Sequence, residues 1–190
     1  MVSLEVSPNL AHDTQGTVTE AIELHGLLAR DNVMIKVPGT TEGVAAFEEL
    51  TARGISVNVT LLFSVERYKE IVQAYIRGLE RRAAENKPID KIASVASFFV
   101  SRVDTEVDKA LAAHSDKATA KTIMGKVAID NAKVAYSYYQ NVFNSPQFKK
   151  LEGAIPQRLL WASTGTKNPD YSDVYYVCLL YTSPSPRDRG

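Results

Sequence analysis

Apolar residues along this chain fall into two alternating patterns: short continuous or every-second-residue runs, and longer stretches where they recur every three or four positions. "MVSLEV", "NVMIKVP", "ISVNVTLLF", "IASVASFFV" and "QRLLWAS" are of the first kind and read as strands. Pro38 and Gly39 end the second of them. Between them, "TVTEAIELHGLLAR" carries Val18, Ile22, Leu24, Leu27 and Leu28 at helical spacing, with Thr17 and Glu20 as a capping box at its start. "TEGVAAFEELTARG" reads as a short helix stopped by Gly54. "SVERYKEIVQAYIRGLERRAAE" is a helix whose inner face is Val65, Tyr68, Val72, Tyr75, Ile76 and Leu79. "VDTEVDKALAAH" and "TAKTIMGKVAIDNAKVAYSYYQNVF" are helical too, the second as one long amphipathic segment.

Strands alternating with helices predict βα units on a parallel sheet, an α/β fold with ligands gathered at the carboxyl ends of the strands. No Gly-x-Gly-x-x-Gly follows the first strand and no Walker-type Gly-Lys-Ser/Thr occurs, so a nucleotide-binding doubly wound sheet lacks its marker. The barrel form of the class is favoured. A closed barrel of this kind has eight strands and roughly 250 residues, so five strands read as part of one.

Side chains alternate along a strand, which splits each into two faces. Ser3 and Glu5 oppose Val2, Leu4 and Val6; Met34 and Lys36 oppose Ile35 and Val37; Asn58 and Thr60 oppose Val57, Val59 and Leu61; Val95 and Ser97 share a face. Four successive strands thus place a polar residue opposite the aliphatic side. With helices over the aliphatic side, the polar residues line the other face near its carboxyl edge.

Composition narrows the chemistry. The chain has 190 residues, 45% of them hydrophobic, which supports a sizeable core. Lys and Arg (22) balance Asp and Glu (22), removing the footprint of a nucleic-acid or membrane-surface binder. One cysteine, Cys178, forms no internal disulfide, and His12, His25 and His114 share no metal-ligand spacing. No apolar run approaches the ~18 residues of a membrane span and no signal peptide is evident, so the expected setting is cytoplasmic.

Lys36, inside the apolar run Val33–Val37, has three readings: paired, neutral or chemical. Singly, each polar residue has a structural explanation. Lys36 can pair with Glu5, Asn58 and Thr60 can tie strand ends to loops, Ser97 can be a core hydroxyl and Arg102 a surface arginine. Together on one face they form a candidate site. A desolvated lysine has its pKa drawn from ~10.4 toward ~7–8, and its neutral amine attacks a ketone to form a Schiff base. The protonated imine serves as an electron sink for breaking or making the adjacent carbon–carbon bond. A carboxylate to move protons and hydroxyl or amide groups to hold substrate complete such a site; Glu5, Thr60, Asn58 and Ser97 are of those types.

The segments "MIKVPGTTEG", "VNVTLLFS" and "ASFFVSRVD", in this order, resemble the transaldolase family. The flanking "VSLEVSP" and "QRLLWASTGTKNPDYSDVYYV" resemble its long bacterial form, some members of which are fused to glucose-6-phosphate isomerase. The resemblance covers nearly the whole chain to about Val177. It implies a (β/α)8 TIM barrel of class I aldolase type, of which strands three to seven are present and the first two and the last are lacking. It further implies Schiff-base transfer of a dihydroxyacetone unit between sedoheptulose 7-phosphate and glyceraldehyde 3-phosphate, in the pentose phosphate pathway, with no metal or organic cofactor. By motif, Lys36 matches the Schiff-base lysine, and Glu5 the glutamate that works with a catalytic water. Asn58 and Thr60 match the pair that holds the dihydroxyacetone moiety and that water. Ser97 matches the sixth-strand serine, and Arg102 the arginine that binds substrate phosphate. Ser163 and Lys167 are the matching candidates after the seventh strand, with altered spacing.

Two departures qualify the resemblance. The family's first-strand aspartate, its main acid/base, has no counterpart here. "CLLYTSPSPRDRG", residues 178–190, breaks the pattern and reads as a non-native, disordered tail behind a barrel segment at 1–177. Two rivals stand beside a transaldolase. One is an aldolase acting on fructose 6-phosphate through the same lysine. The other is an inactive fragment that binds sugar phosphates.

Overall fold

The computed structural model describes residues 1–181. Five strands form one parallel sheet in chain order: β1 (Val2–Glu5), β2 (Val33–Pro38), β3 (Val57–Leu62), β4 (Ser94–Phe99) and β5 (Arg158–Ala162). The connections carry α1 (Thr14–Leu28), α2 (Thr41–Ala52), α3 (Val65–Ala84), α4 (Ser101–Ala113), α5 (Lys117–Ile123), α6 (Val127–Phe143) and α7 (Pro146–Lys149). A further helix, α8 (Tyr175–Tyr181), follows β5. It crosses the expected boundary after residue 177; the rest of the expected tail, 182–190, lies outside the described residues.

All five expected strands form, and the reason is visible in their burial. Ile35 and Val37, Val57 and Val59, and Ala96 and Phe98 are fully covered, on the side where the helices pack. On α3, every residue of the expected inner face is buried. Its start is capped by Ser64, whose hydroxyl accepts the Arg67 N–H at 3.2 Å. The turn from β2 into α2 depends on Gly43: a Cβ there would collide with the Pro38 carbonyl, so only glycine lets the helix start against the strand end.

Five local expectations change. The start of α1 is capped by Asp13, which accepts the Gly16 N–H at 2.9 Å. Thr17 instead donates to the Leu10 carbonyl, and Glu20 accepts the Ser7 N–H, so the pair ties the preceding turn to the helix and is no capping box. Leu27 and Leu28 are exposed at the end of α1, and so are Val2 and Leu4 on β1, which is an edge strand; only Val6 of the β1 set is buried. Leu61 does not share the aliphatic face of Val57 and Val59. It adopts φ +61°, the pairing with β4 shifts between Val59 and Leu62, and this bulge exposes Leu61 while Leu62 enters the core. The long helix expected at 119–143 is two, α5 and α6, broken at Met124–Lys126 where Gly125 sits at φ +74°. The break persists because Asp108 accepts the Gly125 N–H at 2.9 Å and Tyr175 donates to the Gly125 carbonyl at 3.1 Å. Finally, Lys36 is half-buried rather than buried, its side chain 30% exposed on a strand whose inward neighbours are sealed.

Candidate active site

The polar sides of β1 to β4 meet in space. In register, Glu5 lies beside Lys36, Lys36 beside Asn58, and Asn58 beside Val95. Because neighbouring parallel strands lie about 4.8 Å apart, equivalent side chains on one face come within reach of each other. Lys36 Nζ donates to Glu5 Oε2 at 2.9 Å. Ser97 Oγ donates to Asn58 Oδ1 at 2.8 Å, and Asn58 Nδ2 donates to Ser3 Oγ at 3.1 Å. Alternation places Ser3 on this face too, and its pairing with Asn58 adds it to the candidate set.

Lys36 is thus paired with a carboxylate and still reachable from solvent, with Glu5 more exposed than it is. An ammonium held this way has a proton acceptor at hydrogen-bond distance, and the open side of the pair is where a carbonyl compound can approach. Thr60 is buried one side-chain step beyond Asn58, in register with Pro38, and its carbonyl accepts the Gly39 N–H at 2.7 Å.

The remaining candidates lie past the carboxyl ends of β4 and β5. Arg102 is exposed in the first turn of α4, its guanidinium 5.0 Å from the centre of the Phe99 ring. Phe99 in turn packs on Phe63, the ring centres 5.2 Å apart, so aromatic residues border this end of the sheet. Sequence reasoning did not single them out; their position as the last residue of β4 and the first after β3 was the available signal. Ser163 follows β5 at φ +55°, in the left-handed region that a serine seldom adopts. Its hydroxyl pairs with that of Ser101 at 2.9 Å, and its carbonyl accepts the Ser101 N–H at 2.9 Å. Lys167 is exposed on the loop beyond. The structure therefore joins Glu5 to Lys36 and Ser3 to Asn58 and Ser97, and sets Arg102 and Ser163 on facing segments beyond the strand ends.

A second polar cluster lies behind α4. Asp104, 1% exposed, accepts the Ala128 N–H at 2.8 Å and the Tyr176 hydroxyl at 2.9 Å. Asp108 accepts the Tyr171 hydroxyl at 2.9 Å as well as the Gly125 N–H. Burial raises the Asp104 carboxyl above its ordinary range despite both hydrogen bonds, with Asp108 and Asp130 adding repulsion. Burial and the hydrogen bond to Asp108 push the Tyr171 phenol up to about 12, and burial and Asp104 raise Tyr176 further.

Among the described residues, no cluster of His, Cys, Asp and Glu has the geometry to hold a metal ion, and no helix is long and apolar enough to cross a membrane.

A family model described as transaldolase/fructose-6-phosphate aldolase matches residues 1–184. A transaldolase of Saccharopolyspora erythraea is 54% identical over 178 residues, covering 93% of this chain and 48% of its own length. Transaldolase 2 of a Nostoc species is 53% identical over 186 residues, with 93% and 49% covered, and a transaldolase of Mycolicibacterium smegmatis is 52% identical over 182 residues, with 94% and 48% covered. The chain spans about half the length of these relatives.

Proposed function

The chain belongs to the transaldolase/fructose-6-phosphate aldolase family, and from that premise we propose that the full-length protein carrying it is a transaldolase acting through a Schiff base on Lys36. The observation that carries this reading is the half-open Lys36–Glu5 pair at the centre of a hydrogen-bonded polar face. Lys36, with its proton passed to Glu5, attacks the ketone of a sugar phosphate such as fructose 6-phosphate. Loss of water gives a protonated imine, and the imine accepts the electron pair when the bond between the third and fourth carbons breaks. The aldose leaves as its hydroxyl proton is taken up by a base. The three-carbon enamine then attacks an acceptor aldehyde, and water hydrolyses the new imine. Asn58, Thr60 and Ser97 hold the hydroxyls of the bound unit, and Arg102, with Ser163 and Lys167, receives the phosphate, a planar permanent cation suiting that anion.

The five parallel strands in unbroken chain order support a (β/α)8 barrel, since a doubly wound sheet reverses its order at the ligand crevice. On this reading β1 to β5 are strands three to seven of the barrel, and residues 1–190 alone turn over poorly because its remaining strands are needed to close it. The expected setting is cytoplasmic and the partners are phosphorylated sugars.

Borohydride reduction of the full-length protein with fructose 6-phosphate should leave a three-carbon adduct on the peptide containing Lys36. An adduct elsewhere, or one that persists in Lys36→Ala, overturns the assignment. The family name covers two reactions. Release of free dihydroxyacetone without an acceptor aldehyde would identify the aldolase.

A further inference from the structure

Arg102 is exposed, and its guanidinium lies over the face of Phe99. A long side chain in that position binds an anion well only if its backbone is held in place, because ordering it afterwards costs rotamer entropy. The first turn of α4 lacks a local cap: Val100 stands at the capping position and contributes no side-chain hydrogen bond. What holds the turn is remote in sequence. The Val100 and Ser101 N–H groups donate to the Ala162 and Ser163 carbonyls at 3.0 and 2.9 Å, fastening the start of α4 to the end of β5. Two residues after Arg102, the buried Asp104 reaches the start of α6 through Ala128 and α8 through Tyr176.

We propose that Asp104 is a positioning residue for the anion-binding side of the site, fixing Arg102 through the Ala128 N–H and the Tyr176 hydroxyl. The inference rests on the phosphate role assigned to Arg102 above. Asp108, one helical turn further on, repeats the arrangement on the Gly125 N–H and the Tyr171 hydroxyl. Tyr171 and Tyr175 stack with ring centres 4.9 Å apart, and Tyr175 meets Tyr176 edge-on at 5.3 Å, so the tyrosines form one block against α4. Tyr171 lies four residues after Lys167. The same acid–tyrosine block therefore fastens the helix that bears Arg102 and the loop that bears Lys167. The carboxylate of Asp104 spends both oxygens on partners 24 and 72 residues away, which couples three segments that share no local contact in sequence.

The test uses the full-length protein, with phenylglyoxal to modify Arg102 and inorganic phosphate as the protecting anion, read by mass spectrometry of the Arg102 peptide. Phosphate should protect Arg102 in the unsubstituted protein. In Asp104→Asn and in Tyr176→Phe the phosphate concentration needed should rise about tenfold, the scale of one charge-assisted hydrogen bond. KM for glyceraldehyde 3-phosphate should rise in parallel, while KM for unphosphorylated glyceraldehyde and borohydride trapping at Lys36 stay unchanged. Equal protection in the variants overturns the proposal, as does absence of protection in the unsubstituted protein or equal loss toward both aldehydes. If Asp104→Asn fails to fold, Tyr176→Phe decides alone; if neither folds, the role is that of scaffold and the proposal falls. Phosphate protection that responds to the variants while Lys36 traps no adduct leaves the positioning role standing and removes the transaldolase reading.

Discussion

This structure holds two polar assemblies, and they are built to opposite rules. On the face of β1 to β4, Glu5, Lys36, Asn58 and Ser3 remain partly open to solvent, and their hydrogen bonds run sideways from strand to strand. Behind α4, Asp104 and Tyr176 are sealed at 1% and 2% exposure, and each carboxylate oxygen is matched to a donor from another segment. The open assembly leaves the proposed nucleophile accessible and contributes little to stability, since an exposed ion pair gains little over its hydrated partners. The sealed one has no water to fall back on, so every lost partner leaves an unsatisfied group in the interior. Accessibility and rigidity are therefore divided between two places.

The sharpest test of that division is Lys36→Ala. In the full-length protein, turnover should fall by about three orders of magnitude or more, as loss of a covalent nucleophile does. Stability to urea should change by less than ~1 kcal/mol, because the Lys36–Glu5 pair is partly exposed. A large stability loss with mild kinetic effect would make the pair structural and reverse the comparison.

Asp104→Ala should show the opposite balance. It strands the Ala128 N–H and the Tyr176 hydroxyl inside the protein, which should cost about 3 kcal/mol in equilibrium unfolding. A cost as small as that of a surface pair would show that the cluster can be rehydrated.

A smaller loss is expected from Gly125→Ala. The residue is at φ +74°, and its Cβ would lie 2.6 Å from the Tyr171 hydroxyl, so the change should cost about 1–2 kcal/mol. An unchanged midpoint of unfolding would mean that the break between α5 and α6 is not held by this geometry.

The finest effect is on pH dependence. The Asp104 carboxyl is raised above 3.8 chiefly by burial, with Asp108 and Asp130 adding repulsion, while the Ala128 N–H and Tyr176 hydroxyl pull it down. The native state then holds the proton more tightly than the unfolded chain. Its contribution to stability is complete below 3.8 and is lost as pH rises through the native value. Stability relative to Asp104→Asn should therefore decline with rising pH across that window. A relative gain with rising pH would mean that the hydrogen bonds outweigh burial.

The open assembly was legible in the sequence because it follows the period of a strand. Glu5, Lys36, Asn58 and Ser97 lie on successive β segments, each opposite an aliphatic set, and a parallel register carries that alternation into contact. The rule failed where the backbone left the regular strand, at Leu61 in its bulge. The sealed assembly has no such signature. Asp104 and Tyr176 are 72 residues apart, and an aspartate one turn into an amphipathic helix looks like any solvated first-turn acid until the elements packed over it are known.

Local interactions along the chain determined the five strands, the inner face of α3 and the residue types of the polar face, because alternation and helical spacing are properties of neighbouring residues. Membership of the transaldolase family was legible for the same reason, in short segments that each form one strand and its following turn. Tertiary structure decided the exposure of Leu27 and Leu28, the break at Gly125, the pairing of Ser101 with Ser163, and the partners of Asp104. Those depend on which surface another segment covers. A buried carboxylate accepts a hydrogen bond from whatever donor the packed fold brings to it, and nothing in the residues beside Asp104 names Tyr176.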